Sequence, residues 1–438
     1  MSKVPNRSNL LQKLLKNASK NTNSKCPDPN YFKVWWNKPK HTTNAEFLQG
    51  QKELMDRVVK PQLNSQIGIG KYTVENYKTM DGVNTWHFSS TNPNSSSSFQ
   101  RKQPPLVLLH GYLSSSMCYY KNVPGLLNTF SDVYLVDLPG HGATTYRVKE
   151  LQLRMQQPLP IKPKVTIKFD KREGFNNKAR TVQKAEFLYP YLANSKAYQH
   201  MIKQSLSTFY VDMLEQWKHD SNLKKTKINL VGHSFGGYLS FQYWLKYGSQ
   251  SVNKLALVSP LGMERNLFSI NNTDVYANEV YPIEFNNPLS SRYCRPTRVP
   301  DFLFENQFKV FNRMGPLGAW ILWQYCKGRY AKEDGIFQKE LFNQLYNMSA
   351  QEQNFNLSIF KMLFSPHLTA YDPVFDYNKY IAEQQNKFMC IFGDHDWMNA
   401  KSGEFFENFK LNSNSGHNLM LDNPEEFNHH LETFFVDE

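Results

Sequence analysis

The chain of 438 residues carries 51 lysines and arginines against 38 aspartates and glutamates, a net charge of +13, and 14% of its residues are aromatic. This length is enough for one large domain with an insertion and an ample core. The basic charge favours nucleic acid or an anionic membrane as a partner. Because the sequence contains no helix-turn-helix, zinc-finger or RNA-recognition motif, we expect an anionic membrane surface and no nucleic acid. The best apolar run, Pro316 to Cys326, is shorter than the roughly 18 to 20 residues that span a bilayer, so we predict no transmembrane span.

Residues 1–27 contain no aspartate or glutamate, but they contain several lysines together with serine and asparagine. Leu10, Leu11, Leu14 and Leu15 fall on one face of a helix, with most of the lysines off that face. An acid-poor, amphipathic and basic start is typical of a mitochondrial transit peptide. A basic tail without a targeting role is the alternative that the composition leaves open.

Short apolar runs alternate with helical patterns along the chain. Two runs, Tyr72 to Met80 and Val83 to Ser89, flank Asp81-Gly82 and predict a hairpin. Further short strands are predicted at Leu106 to Leu109, Val133 to Val136, Ile228 to Val231, Lys254 to Val258, Phe388 to Phe392 and Phe409 to Leu411. This alternation predicts an α/β fold with a mostly parallel central sheet that helices cover on both faces. We assign residues 60–262 and 381–438 to this core.

Two long segments interrupt the alternation. Residues 147–185 are rich in lysine, arginine and glutamine and show no comparable apolar periodicity, so we predict an inserted basic loop. The sequence leaves two alternatives for this loop: it contacts lipid headgroups, or it is a solvated and partly disordered loop.

The second segment, residues 263–380, is aromatic and far longer than a crossover connection needs. We predict a helical cap, in which most aromatic residues form core and some line an apolar acyl pocket. The aromatic residues in question are Phe302, Phe304, Phe308, Phe311, Trp320, Trp323, Tyr325 and Tyr330.

The most informative motif lies between the strand at Ile228 to Val231 and a helical stretch. It reads Gly232-His233-Ser234-Phe235-Gly236. A strand, a sharp turn and a helix in this order form a nucleophile elbow. The turn strains the backbone of Ser234 and leaves room only for glycine two positions before and after it, a requirement that Gly232 and Gly236 meet. The pattern therefore predicts Ser234 as a nucleophile.

Such a nucleophile needs two backbone N–H groups aimed at the substrate oxygen that becomes negatively charged. One donor should come from the residue after the nucleophile, which is Phe235. The other should come from the loop after the strand at Leu106 to Leu109, where we assign Tyr112 in the sequence His110-Gly111-Tyr112.

A serine hydroxyl becomes nucleophilic when a histidine takes its proton and an acid orients that histidine. In this kind of site the chain order is serine, then aspartate or glutamate, then histidine. We assign Asp396, after the strand at Phe388 to Phe392, as the acid and His417 as the base, with Asp394 as the alternative acid. A metal site at Asp394, His395 and Asp396 is a poor alternative because consecutive residues point apart. We expect no cofactor and no metal.

With these motifs, and with Asp137-Leu138-Pro139-Gly140-His141-Gly142 after a strand, the chain resembles the α/β-hydrolase superfamily with an inserted helical cap. It is similar to the subgroup that contains abhydrolase-domain proteins 4 and 5 and the fungal mitochondrial cardiolipin-specific deacylase. The resemblance runs from about Pro105 to the end of the chain. Its specific parts are Phe209 to Lys218, Gly232 to Leu239, Arg313 to Gly318, Gly393 to Met398 and His417 to Asp422.

The resemblance implies a serine phospholipase that deacylates cardiolipin, peripheral on the matrix side of the mitochondrial inner membrane. It also implies two alternatives. The H-x-x-x-x-D pattern of His417 and Asp422 has been linked to acyl transfer onto lysophospholipids, but we interpret Asp422 as the start of the final helix. A noncatalytic lipase coactivator is the other alternative, and members of that type lack the serine that this chain keeps at position 234.

Overall fold

The computed structural model describes residues 27–36, 44–90, 103–145, 164–169, 182–188, 203, 207–272, 280–281, 283–296, 298–306, 309–350 and 355–436. The basic N-terminal segment lies outside the described residues, apart from residue 27. Its targeting role therefore stays a prediction.

Eleven strands are present in the described part of the chain. They are β1 (Tyr72–Lys78), β2 (Asn84–Ser90), β3 (Leu106–Leu109), β4 (Asp132–Val136), β5 (Lys164–Phe169), β6 (Val182–Leu188), β7 (Ile228–His233), β8 (Val252–Val258), β9 (Val280–Tyr281), β10 (Phe388–Gly393) and β11 (Asn408–Asn412). Eight of them form one sheet in the order β1-β2-β4-β3-β7-β8-β10-β11. Strand β2 is antiparallel to both of its neighbours, and every other adjacent pair is parallel. The predicted α/β-hydrolase fold with a mostly parallel sheet is confirmed.

Successive residues of the central strands point to opposite faces of the sheet, and both faces are buried. In β3, Val107 and Leu109 belong to the hydrophobic cluster on one face, while Leu106 and Leu108 belong to the cluster on the other. Burial on both sides explains why these strands appear in the sequence as continuous apolar runs.

Helices cover both faces of the sheet. They are α1 (Tyr31–Trp36), α2 (Asn44–Leu54), α3 (Lys60–Gln66), α4 (Val123–Leu126), α5 (Asp212–Asp220), α6 (Phe235–Ser251), α7 (Asp301–Asn306), α8 (Lys309–Arg313), α9 (Pro316–Arg329), α10 (Gly335–Ala350), α11 (Phe355–Leu363), α12 (Asn378–Ala382), α13 (Leu419–Asp422) and α14 (Pro424–Val436). Trp217 of α5 and Trp244 of α6 pack on the face that contains Leu109, and Phe427 of α14 packs on the opposite face. Within the described ranges, none of the helices is both long and apolar enough to cross a membrane.

The segment over residues 263–380 divides between the two faces of the sheet. Trp323 of α9 and Leu341 of α10 pack in the same cluster as Leu54 of α2. Phe360 of α11 packs in the opposite cluster, which contains residues of α5 and α6. The helices of this segment are therefore part of the core on both sides of the sheet.

The basic insertion contains a β-hairpin, and the prediction of a loop was wrong there. Strand β5 pairs antiparallel with β6, and β6 pairs antiparallel with β9, in a separate three-stranded sheet. Val165, Ile167 and Phe169 alternate with Thr and Lys in β5, so the signal has a period of two residues. The many basic residues around this short alternation hid it. The rest of the insertion lies outside the described residues.

Candidate active site

Ser234 occupies a sharp turn between β7 and α6. Its backbone dihedral angles are φ 52° and ψ −113°, in a region that residues with side chains rarely adopt. A Cβ atom on Gly232 would lie 2.5 Å from the carbonyl oxygen of Gly236, and one on Gly236 would lie 2.4 Å from the carbonyl oxygen of His110. Both glycines are therefore required by close backbone approach, which keeps the turn around the buried Ser234 compact.

The structure brings Ser234, His417 and Asp396 into one chain of hydrogen bonds. The Nε2 atom of His417 lies 3.0 Å from the Oγ atom of Ser234. The Nδ1 atom of His417 lies 3.1 and 3.2 Å from the two carboxylate oxygens of Asp396. A carboxylate only accepts, so Nδ1 carries the proton and Nε2 is left to accept from the serine hydroxyl.

Asp396 is held as an anion although its side chain is almost completely buried. Burial alone raises its pKa, but the hydrogen bond and the charge of His417 lower it, and the net pKa lies below the usual value for aspartate. The backbone N–H of Met398 also donates to the Asp396 carboxylate, at 3.0 Å. An ionised Asp396 is the form that can orient and stabilise a protonated imidazole.

Asp394, the alternative acid, has a different position. Its carboxylate accepts the backbone N–H groups of Ser415 at 2.8 Å and Asn414 at 3.0 Å, and it contacts the imidazole of His395. The hydrogen bond from Ser415 lowers the pKa of Asp394 to about 2. Asp394 thus fixes the loop that precedes His417, and Asp396 is the carboxylate that contacts His417.

Asp422 does not begin the final helix, contrary to our interpretation of the sequence. It ends the short helix α13, and its carboxylate accepts the backbone N–H of Gly416 at 2.9 Å. Asn423 takes the cap position instead, because its side-chain oxygen accepts the N–H of Glu426 at the start of α14. The carboxylate of Asp422 is therefore engaged in holding the residue next to His417.

Tyr112 and Phe235, the residues assigned as oxyanion donors, both lie beside Ser234. Phe235 is the first residue of α6, where backbone N–H groups have no intrahelical acceptor. A Cβ atom on Gly111 would lie 3.1 Å from the Cβ atom of Ser234, so the loop that carries Tyr112 passes directly against the nucleophile. The rings of Tyr112 and Phe235 pack edge to face, with 5.8 Å between their centroids.

His233, the residue before the nucleophile, has a role that was not predicted from the sequence. Its Nε2 atom lies 2.8 Å from the backbone carbonyl oxygen of His417, so Nε2 carries the proton and donates to that oxygen. Burial lowers the pKa of His233 to about 3, which keeps the ring neutral. The elbow and the loop that carries His417 are therefore joined directly by a side chain of the elbow motif.

His110 fixes the oxyanion loop in a similar way. Its Nε2 atom accepts the backbone N–H of Leu138 at 2.9 Å, and its Nδ1 atom donates to the carbonyl oxygen of Gly111 at 2.7 Å. The ring is completely buried, and burial lowers its pKa. Both histidines lie at the end of a strand beside a glycine. This position is the sequence feature from which the roles of His110 and His233 could have been predicted.

Helix α10 holds the same loop from the other side. Ser115 donates its hydroxyl proton to Glu340 at 3.0 Å, and the side-chain amide of Gln344 donates to the carbonyl oxygen of Ser114. Burial raises the pKa of Glu340 to about 8, so this carboxyl group is protonated at neutral pH. A helix of the segment over residues 263–380 thus contacts the loop that carries Tyr112.

Aromatic side chains pack around Tyr112 and Phe235, the two residues that flank the nucleophile. Phe360 of α11 stacks on Tyr112 at 4.2 Å and lies 5.8 Å from Phe235, while Phe364 and Tyr210 lie 5.9 and 5.4 Å from Phe235. Phe360 and Phe364 were not among the aromatic residues predicted from the sequence. Of those predicted, Phe304 lies 6.4 Å from Phe360, between ring centroids, and Phe302 is largely exposed. The apolar surroundings suit the acyl chain of a lipid ester.

The alpha/beta hydrolase fold family matches residues 104–424 of this chain. Protein ECM18 of Saccharomyces cerevisiae is 35% identical over 443 aligned residues, which cover 98% of this chain and 88% of that protein. The 1-acylglycerol-3-phosphate O-acyltransferase ICT1 of the same yeast is 32% identical over 430 residues, which cover 92% of this chain and 98% of that protein. The human 1-acylglycerol-3-phosphate O-acyltransferase ABHD5 is 25% identical over 50% of this chain and 60% of that protein. The chain belongs to the α/β-hydrolase superfamily, in the subgroup related to abhydrolase-domain proteins 4 and 5.

Proposed function

We propose that this protein is a serine acyl hydrolase that deacylates glycerophospholipids through Ser234, His417 and Asp396. The observation that carries the proposal is the continuous hydrogen-bond chain from the Ser234 hydroxyl through His417 to the Asp396 carboxylate. A phospholipid substrate is supported by the lipid-enzyme names of the relatives and by the aromatic rings that pack against Phe235, the residue after the nucleophile.

The reaction proceeds through an acyl-enzyme. His417 takes the hydroxyl proton as the Ser234 oxygen attacks the ester carbonyl, and Asp396 stabilises the resulting imidazolium. The backbone N–H groups of Tyr112 and Phe235 bind the oxyanion of the tetrahedral intermediate. His417 then protonates the oxygen of the leaving lysophospholipid, and a water molecule activated by the same imidazole hydrolyses the acyl-enzyme.

Cardiolipin at the mitochondrial inner membrane is the substrate and location that we propose. The net charge of +13 attracts an anionic headgroup, and the acid-free basic segment over residues 1–27 has the composition of a transit peptide. Attraction between charges in solvent is screened by salt, so binding to cardiolipin vesicles should weaken as ionic strength rises.

Fatty-acid release from cardiolipin vesicles by the purified full-length chain tests this proposal. Ser234→Ala should reduce release to the background rate, and vesicles of a zwitterionic phospholipid serve as the substrate control. Release that persists in Ser234→Ala would exclude the mechanism. Equal release from both vesicle types would exclude the cardiolipin preference and retain the hydrolase.

An acyltransferase is the second candidate, and the name of ICT1, aligned over almost its whole length, favours it. The acyl-enzyme would form in the same way, but a lysophospholipid hydroxyl would replace water in the second step. A labelled acyl donor offered with 1-acylglycerol 3-phosphate separates the two functions. Transfer of label to the acceptor in excess of release to water would make transfer the main activity.

A further inference from the structure

Arg295 is buried near His417 and does not use all of its hydrogen-bond donors. Its side chain is only 4% exposed, and its Nη2 atom donates to the carboxylate of Glu264. Its Nε and Nη1 atoms have no hydrogen-bond partner among the described residues. Buried guanidinium groups normally have acceptors for these donors, so Arg295 has capacity to bind a further anion.

Trp397 connects Arg295 to the active site. The Cζ atom of Arg295 lies 5.0 Å from the centre of the indole ring, and that ring lies 5.2 Å from the imidazole of His417. Trp397 is 49% exposed, so it stands where the site meets solvent. A substrate group bound at Arg295 would therefore lie one aromatic ring away from the catalytic base.

Arg295 carries its positive charge in this environment. Burial lowers its pKa, but the neighbouring carboxylate of Glu264 raises it, and the net pKa lies above the usual value for arginine. The Tyr293 hydroxyl also hydrogen-bonds with the guanidinium and raises the pKa of Arg295 in the same direction. Glu264 occupies one edge of the guanidinium through a single oxygen, because its Oε2 atom has no hydrogen-bond partner within the described part of the chain.

The donor geometry selects a class of ligand. A guanidinium offers parallel N–H groups that match two oxygens of a phosphate, and such charge-assisted pairs are stronger than neutral hydrogen bonds. In a glycerophospholipid, the phosphate and the acyl ester are attached to the same glycerol. We propose that Arg295, with Trp397 beside it, forms a subsite for the glycerol-linked phosphate of the substrate. This assignment rests on the proposed phospholipid chemistry for its natural ligand.

Binding measurements test the subsite without depending on turnover. The full-length chain with Ser234→Ala is titrated calorimetrically with a short-chain 1-acylglycerol 3-phosphate below its micelle concentration, the matching 1-acylglycerol, and inorganic phosphate. Loss of a charge-assisted hydrogen-bond pair corresponds to roughly tenfold to a hundredfold in affinity. We expect the phosphorylated lipid to bind tighter than the neutral lipid and than inorganic phosphate by this factor.

The variant that removes the subsite is Glu264→Gln with Arg295→Gln, because it removes both buried charges together and keeps a polar side chain at each position. It should bind the phosphorylated and neutral lipids about equally. Arg295→Lys, which keeps the charge and loses the fork, is the second variant should the double substitution not fold, with a loss of about tenfold expected. Arg298→Gln is the matched control, since Arg298 is exposed and pairs with Asp301, and it should bind as the parent does.

Three outcomes would overturn the assignment. Equal affinity of the parent protein for the phosphorylated and neutral lipids would remove the subsite. Inorganic phosphate binding as tightly as the lipid would replace it with a site for free phosphate. Unchanged discrimination in the Arg295 variants would locate phosphate recognition elsewhere. Failure of cardiolipin deacylation is a separate result, because the titrations require no catalysis.

Discussion

Ser234 lies in a turn between a buried strand and a buried helix, whereas His417 lies on a loop between β11 and α13. At the elbow, backbone atoms approach so closely that Gly232 and Gly236 admit no side chain. On the loop, backbone N–H groups of Asn414, Ser415 and Gly416 are bound by side-chain carboxylates. The nucleophile is therefore positioned by steric contacts, and the base is positioned by hydrogen bonds.

This difference predicts different consequences for substitutions in the two regions. A larger residue at the elbow must displace backbone that belongs to the core, so its main effect should be on the free energy of unfolding. A lost acceptor on the loop leaves the core intact and changes the position of an imidazole. Its main effect should be on the reaction rate.

The largest expected effect is on the rate, from Asp396→Asn. An amide at this position favours the wrong tautomer of His417, and loss of the equivalent carboxylate in a serine protease costs roughly 10⁴-fold in kcat. Asp394→Asn is the matched control, because this residue contacts the loop and not His417, and we expect it to cost about tenfold. Hydrolysis of a soluble p-nitrophenyl ester measures both variants. Equal losses in the two variants would contradict the assignment of Asp396 as the acid.

Gly236→Ala should have the largest effect on stability. Its Cβ atom would lie 2.4 Å from the carbonyl oxygen of His110, and forcing a methyl group into packed backbone should lower the free energy of unfolding by about 3 kcal/mol. Gly50→Ala is the control, since the nearest atom there is a side-chain carbon of Glu340 at 3.3 Å. Urea unfolding compares the two variants. A Gly236→Ala protein as stable as Gly50→Ala would show that the elbow is not sterically constrained.

Glu340, which binds the loop that carries Tyr112 through Ser115, should make the free energy of unfolding depend on pH. Burial raises its pKa from 4.5 to about 8, so between these values the folded protein binds more protons than the unfolded chain. The free energy of unfolding therefore falls as pH rises through this range. The contribution of the Glu340 proton to stability is fully present only below pH 4.5.

Glu340→Gln removes this titration and keeps an acceptor for Ser115. Between pH 6 and pH 8 the parent protein should lose on the order of 2 kcal/mol more stability than the variant does. Urea unfolding at the two pH values gives the comparison. Parallel pH dependence in both proteins would mean that Glu340 does not titrate in this range.

Substitutions of Asp422 should have a smaller effect on the reaction rate. They also distinguish a role in holding the Gly416 backbone from a role in acyl transfer. Asp422→Ala removes the acceptor for the Gly416 N–H and should lower kcat about tenfold, which corresponds to about 1.4 kcal/mol of barrier. Asp422→Asn keeps a side-chain oxygen for that bond and should retain most of the activity. Loss of acyl transfer in Asp422→Asn, with hydrolysis retained, would instead identify the carboxylate as an acid in transfer.

The steric half of the site could be predicted from the sequence, and much of the hydrogen-bonded half could not. A glycine two positions before and after Ser234 records the close backbone approach directly, and the order of Ser234, Asp396 and His417 followed from the ends of apolar strands. The sequence alone left both Asp394 and Asp396 open as the acid. Two aspartates only two residues apart look alike in the sequence. Which of them contacts His417 depends on the path of the loop over residues 412–416.

The same reason explains the residues that the sequence analysis missed. Phe360 belongs to a helix whose pattern resembles that of any buried helix, and Phe364 directly follows this helix. Only the tertiary fold brings the two rings against Phe235. Arg295 lies far from the triad in sequence. Its contact with Trp397 depends on how the segment over residues 263–380 packs.

Labelling by a fluorophosphonate, followed by mass spectrometry of the modified peptide, tests the central claim most directly. A serine activated by an imidazole should react, so the parent protein should carry one label, on Ser234, and His417→Ala should react far more slowly. Ser234→Ala should carry none. A parent protein that does not react at Ser234, or a Ser234→Ala variant that labels equally well, would contradict the proposed nucleophile and favour a noncatalytic role.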